Sequence, residues 1–224
     1  MIETKELTKV YGTGSRVVRA VDGARLSLEA GDFALVIGRS GSGKSTLLGM
    51  LGAVTRPTQG KVLLDGDDLW EMDDRAQAMI RARKIGFVFQ FAGLLPTLTA
   101  MENAKLPSLF SEDKEGSVKR AERYFKAFGI EDKMLSFPSQ LSGGEAKRVS
   151  IVRALVNDPV LVIADEPTGD LDIDTEKDIM SIFQQINKDG RTIVMVTHNP
   201  ELSSYANKVF RMDRGILSKV DLCP

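Results

Sequence analysis

Residues 38–45 read Gly38-Arg39-Ser40-Gly41-Ser42-Gly43-Lys44-Ser45. They fit G-x-x-x-x-G-K-[ST] and lie between an apolar run, Phe33-Ala34-Leu35-Val36-Ile37, and a helical run over residues 45–50. That is the strand–loop–helix setting a phosphate loop needs. Glycines let the backbone curl until several N–H groups point at one polyphosphate. The helix opening near Lys44 and reaching Thr46 adds the positive end of its dipole. Lys44 brings a full charge to the terminal phosphates, and the Ser45 hydroxyl is a ligand for Mg²⁺. A Gly/Ser-rich turn that matches by chance would not need a buried strand before it and a helix after it.

Composition bounds the rest. The chain has 224 residues, 42% hydrophobic and 27% charged, an ordinary globular balance able to bury a sizeable core. The formal net charge of −1 gives no sign of nucleic acid or an anionic membrane surface as the main partner, and no nucleic-acid partner is expected. Short basic clusters such as Arg81-Ala82-Arg83-Lys84 alternate with acids and read as solvated helix faces. The single cysteine, Cys223, allows no intrachain disulfide, which fits a reducing compartment. The first residues lack the apolar stretch of a secretory leader, and no apolar run approaches the ~20 residues of a spanning helix. Any membrane part is expected on another chain.

Around the phosphate loop the pattern predicts an α/β fold. Residues 2–10, 16–21 and 25–29 read as strands, the last two broken at Asp22-Gly23, giving an antiparallel layer before the core. A short strand at 61–64, a helix at 75–83 and a buried strand at 85–89 follow. Residues 91–96 form an apolar irregular loop, and helices are expected at 100–106, 118–128 and 133–135. Ser142-Gly143-Gly144 opens a helix to about residue 156, stopped by Asn157-Asp158-Pro159. Val160-Leu161-Val162-Ile163-Ala164 and Thr192-Ile193-Val194-Met195-Val196 are continuous apolar runs, as central parallel strands covered on both faces require. An amphipathic helix at 175–187, a short helix at 200–206 and a closing hairpin around Asp213-Arg214-Gly215 complete the reading. The chain is expected to be one domain over 1–224. Residues 1–90 and 159–224 would form the α/β core with its β subdomain, and residues 91–158 an inserted helical subdomain.

Polar residues at the ends of the buried strands are where an α/β sheet places its chemistry. Asp165 and Glu166 end the first such run; Asp165 can meet Mg²⁺ directly or through water, and Glu166 can polarise an attacking water. An acidic N-cap pair is the plainer reading, but the next helix starts several residues later. His198, the only histidine, follows the second run and can reach a γ-phosphate or order the water. Gln90 ends the 85–89 strand and can contact Mg²⁺ or that water. Leu141-Ser142-Gly143-Gly144-Glu145 is a second glycine-rich helix start, readable as another phosphate cradle or as a capping turn. Two cradles with only one lysine-bearing loop are reconciled by a head-to-tail dimer, each second cradle closing on the ATP held by the other copy. Tyr11 offers a face for adenine or serves as an edge aromatic. Asp172, within Asp170-Leu171-Asp172, is placed to meet the facing subunit or belongs to a simple turn.

Taken together, these motifs resemble the nucleotide-binding subunit of an ABC transporter, over essentially the whole chain. The resemblance identifies residues 38–45 as Walker A, Gln90 as the Q-loop, 141–145 as the signature, 161–167 as Walker B with Glu166 as catalytic glutamate, 169–172 as the D-loop and His198 as the H-loop. It implies a RecA-like P-loop NTPase core with an antiparallel β subdomain and a helical subdomain. It also implies ATP and Mg²⁺ as ligands. Ile85-Gly86-Phe87-Val88-Phe89-Gln90, Leu94-Leu95-Pro96, Leu98-Thr99-Ala100-Met101-Glu102-Asn103 and Pro167-Thr168-Gly169 are similar to the lipoprotein-release, macrolide-export and cell-division branch (LolD, MacB and FtsE types). That branch implies a four-helix membrane partner with a large extracytoplasmic domain, and a cytoplasmic ATPase sitting peripherally on the inner membrane face. Four departures stand out: Glu145-Ala146-Lys147 in place of a glutamine-rich run, Phe91-Ala92-Gly93 after Gln90, Asp170 where Asn or Ala is commoner, and Asn199 after His198.

Three functions are compatible with this pattern. The first is an ATPase that drives export, lipoprotein release or transmembrane force transmission. The second is a regulator of the cell-division type that gates an extracytoplasmic enzyme through its membrane partner. The third, a soluble ATPase of the DNA-repair or translation type, is disfavoured. Only about fifty residues separate Gln90 from Ser142, with no heptad run between them, and the chain carries one cassette.

Overall fold

A computed structural model describes residues 2–12 and 17–220. The chain divides into two compact units, residues 1–78 with 192–224 and residues 79–191. Each is taken in turn. Residues 13–16, part of the expected turn and of the start of the second strand, lie outside the described residues, as does Cys223.

The first unit holds two β layers. In the antiparallel layer β1 (Ile2–Tyr11) pairs with β2 (Val18–Leu28) on one side and with β4 (Gln59–Leu64) on the other, and β4 pairs with β5 (Asp67–Asp68). The second layer is built on β3 (Phe33–Ile37), which runs parallel to β8 (Thr192–Thr197) and to β9 (Lys208–Asp213); β9 turns back antiparallel into β10 (Ile216–Val220). Every residue of β8 is buried, and so are Phe33, Ala34, Leu35 and Val36. Continuous β-branched and aromatic runs of this kind have no solvent face, so they suit a parallel sheet covered on both sides. Helix α1 (Lys44–Leu51) follows β3 through the glycine-rich loop and buries Leu47, Leu48, Met50 and Leu51.

The second unit holds a parallel pair, β6 (Ile85–Val88) beside β7 (Leu161–Asp165), with Gly86 opposite Val162. Between them the described residues form no further strand: an irregular loop over 89–99 leads into α3 (Ala100–Lys105), α4 (Lys114–Ala127) and α5 (Gly143–Leu155), with short 3-10 turns among the helices. Thr99 and Glu102 cap α3 reciprocally. The fully buried Asn103 then knits the preceding loop, accepting from Leu95 N–H and donating to the carbonyls of Leu95, Leu98 and Thr99. After β7, α6 (Ile173–Lys188) buries Ile179, Met180, Ile182, Phe183 and Ile186, the spacing of one helical face. Helix α2 (Asp74–Arg83) spans the boundary between the two units.

Local differences from the sequence reading have local causes. The expected break at Asp22-Gly23 is absent: β2 runs on as one strand with irregular register against β1. Gly23 adopts φ 60 and its N–H donates to Thr8 Oγ1, while Asp22 N–H donates to the Gly215 carbonyl. Turn residues thus become a bulge because their N–H groups find partners inside the unit. The helix expected at 118–128 begins earlier, at Lys114, because Asp113 caps it through Gly116 N–H. The helices expected at 133–135 and 200–206 are 3-10 turns.

Gly86 shows how tightly β6 lies on α5. A Cβ there would stand 2.4 Å from the Ala154 carbonyl oxygen. Gly86→Ala should therefore lower unfolding stability by about 1–3 kcal/mol, measured by urea denaturation; an unchanged midpoint would show that the two backbones can separate without cost.

Candidate functional site

The glycine-rich loop is wedged between two strands of the first unit. A Cβ on Gly38 would lie 2.4 Å from the Met212 carbonyl oxygen, and one on Gly43, at φ 109, would lie 2.0 Å from the Ala20 carbonyl oxygen. Backbone therefore meets backbone on both sides, which only glycine allows. Gly38 N–H donates to Thr197 O (3.2 Å), Ser42 N–H to Arg39 O (3.2 Å) and Gly215 N–H to Ser42 O (2.9 Å), so the loop is pinned to β8 and to the β9–β10 turn. No side chain caps the start of α1, whose first residues are Lys44, Ser45 and Thr46. The buried Lys44 ammonium donates to the Gly38 and Arg39 carbonyls at 2.8 and 3.1 Å. The Ser42 hydroxyl is buried with no hydrogen-bond partner among the described residues. A buried hydroxyl without a partner is costly, and here it sits in the turn a phosphate would enter.

A cavity of about 730 Å³ opens beside this loop, lined by residues 37–42, His198, Pro200 and residues 211–214. His198, exposed at the end of β8, is thus brought to the same cavity as Arg39, Ser40, Gly41 and Ser42. Three arginines (Arg39, Arg211, Arg214) and one aspartate (Asp213) line it, a charge balance suited to a polyanion. Tyr11, at the end of β1, is 43% exposed, with the Lys9 ammonium 5.1 Å from its ring centroid. An exposed aromatic face held this way is open for stacking.

The second unit carries the other candidates. Glu166, just past β7 and beside Asp165, adopts φ 42, a left-handed conformation that a β-carbon disfavours. Its carbonyl accepts from Gly169 N–H at 3.2 Å. A Cβ on Gly169 would stand 3.6 Å from Glu166 Oε2 and 3.7 Å from Gln90 Nε2, so carboxylate and amide converge on one glycine. Ser142 and Glu145 form a capping box at the start of α5, with Glu145 N–H donating to Ser142 Oγ (3.2 Å) and Ser142 N–H to the Glu145 carboxylate (2.7 Å). The Ser142 N–H bond is the main reason the Glu145 carboxyl stays below its usual range. Ser142 and Gly143 are exposed, while Gly144 has no room for a side chain, a Cβ there meeting Thr175 Cγ2 at 2.7 Å. Asp172 is the N-cap of α6: one carboxylate oxygen accepts from Asp174 and Thr175 N–H and the other from Thr175 Oγ1. That capping role was not read from the sequence, though Asp followed by a helical run is a recognisable signal.

Among the described residues no cluster of three or more His, Cys, Asp or Glu could hold a metal alone. The Ser45 hydroxyl, Gln90 amide and Asp165 carboxylate are hard oxygen donors, the kind Mg²⁺ takes when substrate phosphates and water fill its remaining positions. Two cations of α5, the buried Lys147 and the half-buried Arg153, were missed by the sequence reading. Lys147 Nζ on α5 donates to Phe89 O (2.9 Å) and to Gln90 O, and Arg153 donates to Gly93 O (2.8 Å) and Ala92 O (2.7 Å). Burial pulls the Lys147 ammonium down to about 8, against the Asp170 carboxylate, which acts to raise it. Burial likewise lowers Arg153.

The unpartnered Ser42 hydroxyl separates a structural role from a ligand role. Ser42→Ala should leave the thermal midpoint unchanged or slightly higher, yet weaken ATP binding by about tenfold in calorimetry. A lower midpoint with unchanged affinity would make the hydroxyl structural.

The family model for ABC transporter matches residues 21–169. An uncharacterized ABC transporter ATP-binding protein of Thermotoga maritima is 43% identical, over 99% of this chain and 95% of its own. The lipoprotein-releasing system ATP-binding protein LolD of Aquifex aeolicus is 45% identical, over 89% of this chain and 91% of its own. The macrolide export ATP-binding/permease protein MacB of Hyphomonas neptunium is 38% identical over 96% of this chain, which spans only 34% of that longer protein. Among solved structures, the dimeric post-hydrolysis state of the cassette MJ0796 bound to ADP and Pi superposes with a TM-score of 0.88, at 36% identity and with both chains covered in full. With a P-loop NTPase fold and relatives at these identities, the chain belongs to the ABC transporter family.

Proposed function

We propose that this chain is the ATP-hydrolysing subunit of an ABC transporter, and that two copies close head to tail over two ATP to drive a membrane partner. The observation that carries the reading is the phosphate loop: an uncapped helix start, a buried lysine and an orphaned Ser42 hydroxyl converge where glycine backbone leaves a cradle. The dimeric MJ0796 cassette with ADP and Pi supports both hydrolysis and dimerisation.

In this reading the N–H groups of residues 38–46 surround the phosphates: Gly38, Arg39, Ser40, Gly41, Ser42, Gly43, Lys44, Ser45 and Thr46. Lys44 leaves its loop carbonyls for the β- and γ-phosphates, and Tyr11 stacks on adenine. Ser45, Gln90 and Asp165 are the residues that would hold Mg²⁺, which would compensate the phosphate charge. Glu166 accepts the proton of the water that attacks the γ-phosphorus, the bridging oxygen leaves with ADP, and Gln90 and His198 orient that water and the γ-phosphate. The Ser142-Gly143-Gly144 turn, exposed at Ser142 and Gly143, and Asp172 at the N-cap of α6 meet the ATP of the second copy.

Membrane coupling follows from surface chemistry. Phe91 and Phe89 are 73% and 53% exposed in the loop after β6, and Leu109 and Phe110 are 65% and 64% exposed. Exposed apolar groups of this size are candidates for docking a partner. Among the described residues no helix is long and apolar enough to cross a membrane. The LolD and MacB relatives support a permease-type partner, which we place in the four-helix class with a large extracytoplasmic domain. The chain would then sit at the cytoplasmic membrane face, with residues 91–158 as its helical subdomain.

Glu166→Gln should keep ATP affinity within about twofold while turnover falls by roughly a hundredfold or more, read by equilibrium binding and phosphate release. Substantial residual hydrolysis would remove Glu166 from the role of base. The same variant, tagged in its native host and held with ATP in mild detergent, should carry down a four-helix membrane protein with a large outer domain. A many-helix permease would contradict that partner class, and no membrane protein at all would contradict membrane coupling.

A further inference from the structure

The loop leaving β6 starts on a ring stack, Phe87 against Phe89 with centroids 5.8 Å apart, and is tied again at Leu95 by Asn103, but between these points little side-chain packing holds it. Phe89 and Phe91 point largely to solvent, and Gly93 sits at φ 55 with no atom nearer than 3.8 Å to where a β-carbon would be. What holds it is main chain. The carbonyls of Phe89 and Gln90 accept from Lys147, and those of Ala92 and Gly93 accept from Arg153. Both cations belong to α5, whose first residues are the glycines of the signature turn, and Lys147 follows Gly143 by about one helical turn. Lys147 is 4% exposed. An exposed lysine would avoid the desolvation this one bears, so the burial must be offset by the bonds it makes. Asp170 is the carboxylate whose charge acts on it.

We propose that Lys147 and Arg153 are positioning residues that clamp residues 89–93 onto α5, so that Gln90 and the signature turn move as one rigid piece. The clamp spares the side chain of Gln90, because it grips only backbone carbonyls. It also leaves the exposed Phe89 and Phe91 available to a partner while fixing the backbone that carries them. A pull on those aromatics is then delivered to α5 instead of being absorbed by a slack loop. This inference rests on the ATPase reading for its consequence, but the clamp itself is a property of the chain alone.

The test is amide hydrogen exchange on the full chain without nucleotide, followed by ATP titration and steady-state hydrolysis. Lys147→Met keeps length and apolar volume and removes the donors. It should speed exchange across residues 89–96 by roughly tenfold while residues 148–156 stay protected. It should also lower kcat by roughly tenfold or more with ATP Kd unchanged within about twofold. Arg153→Lys keeps the charge but cannot span both carbonyls, so it should loosen the same segment less, and it decides the matter if Lys147→Met does not fold. Unchanged exchange over residues 89–96, or equal loosening of all of α5, would overturn the clamp. Wild-type chain lacking ATPase activity would count against the proposed function and leave the exchange result standing.

Discussion

Everything in the first unit depends on one close approach: the phosphate loop lies backbone to backbone between β2 and β9. Two carbonyls, Ala20 and Met212, occupy the space that side chains on Gly43 and Gly38 would need. That contact fixes where α1 begins, and so where Lys44, Ser45 and Thr46 point. It also explains why the turn at Gly215 matters, since its N–H holds the Ser42 carbonyl and its own carbonyl accepts from Asp22. The antiparallel layer and the parallel layer are thereby joined through the loop. A phosphate cradle in this fold is a consequence of that wedge, with buried β3 and β8 as the rigid floor.

The second unit is organised by a different constraint. Here the helix α5 is the common support: Gly86 of β6 rests against its Ala154 carbonyl, Gly144 at its start rests against Thr175 of α6, and Lys147 and Arg153 grip the loop after β6. Gln90 and the signature turn are thus referred to one helix. Glu166 is held at positive φ, which costs of order 1–3 kcal/mol and persists only where surrounding structure imposes it. A carboxylate carried on strained backbone and converging with an amide on Gly169 fits a group that must be aimed rather than merely present.

Much of this was legible in the residues. The phosphate loop, the buried β3, β7 and β8, and the amphipathic α6 each announce themselves by spacing and apolar continuity. Polar residues at strand ends, Gln90, Asp165, Glu166 and His198, followed from where α/β sheets leave their strands open. What stayed hidden depends on distant partners. The unbroken β2 requires the Thr8 hydroxyl and the Gly215 carbonyl, which no local pattern reveals. Lys147 and Arg153 look like ordinary polar positions of a helix until the loop carbonyls they reach, some sixty residues earlier, are in view. Lys147 did register as a departure from the family pattern, but the reason for it is three-dimensional.

The central claim is that each ATP is enclosed by the phosphate loop of one copy and the signature turn of another. Mixing two inactive variants tests it most directly. Lys44→Ala disables the phosphate loop and Ser142→Arg blocks the signature turn, so each variant alone should fail to hydrolyse ATP. In a mixed dimer one site combines the intact loop of the second variant with the intact signature of the first. Hydrolysis regained on mixing, and absent from either variant alone, is the predicted result. Activity that stays absent in the mixture, while hydrodynamic measurement shows that mixed dimers form, would contradict the account.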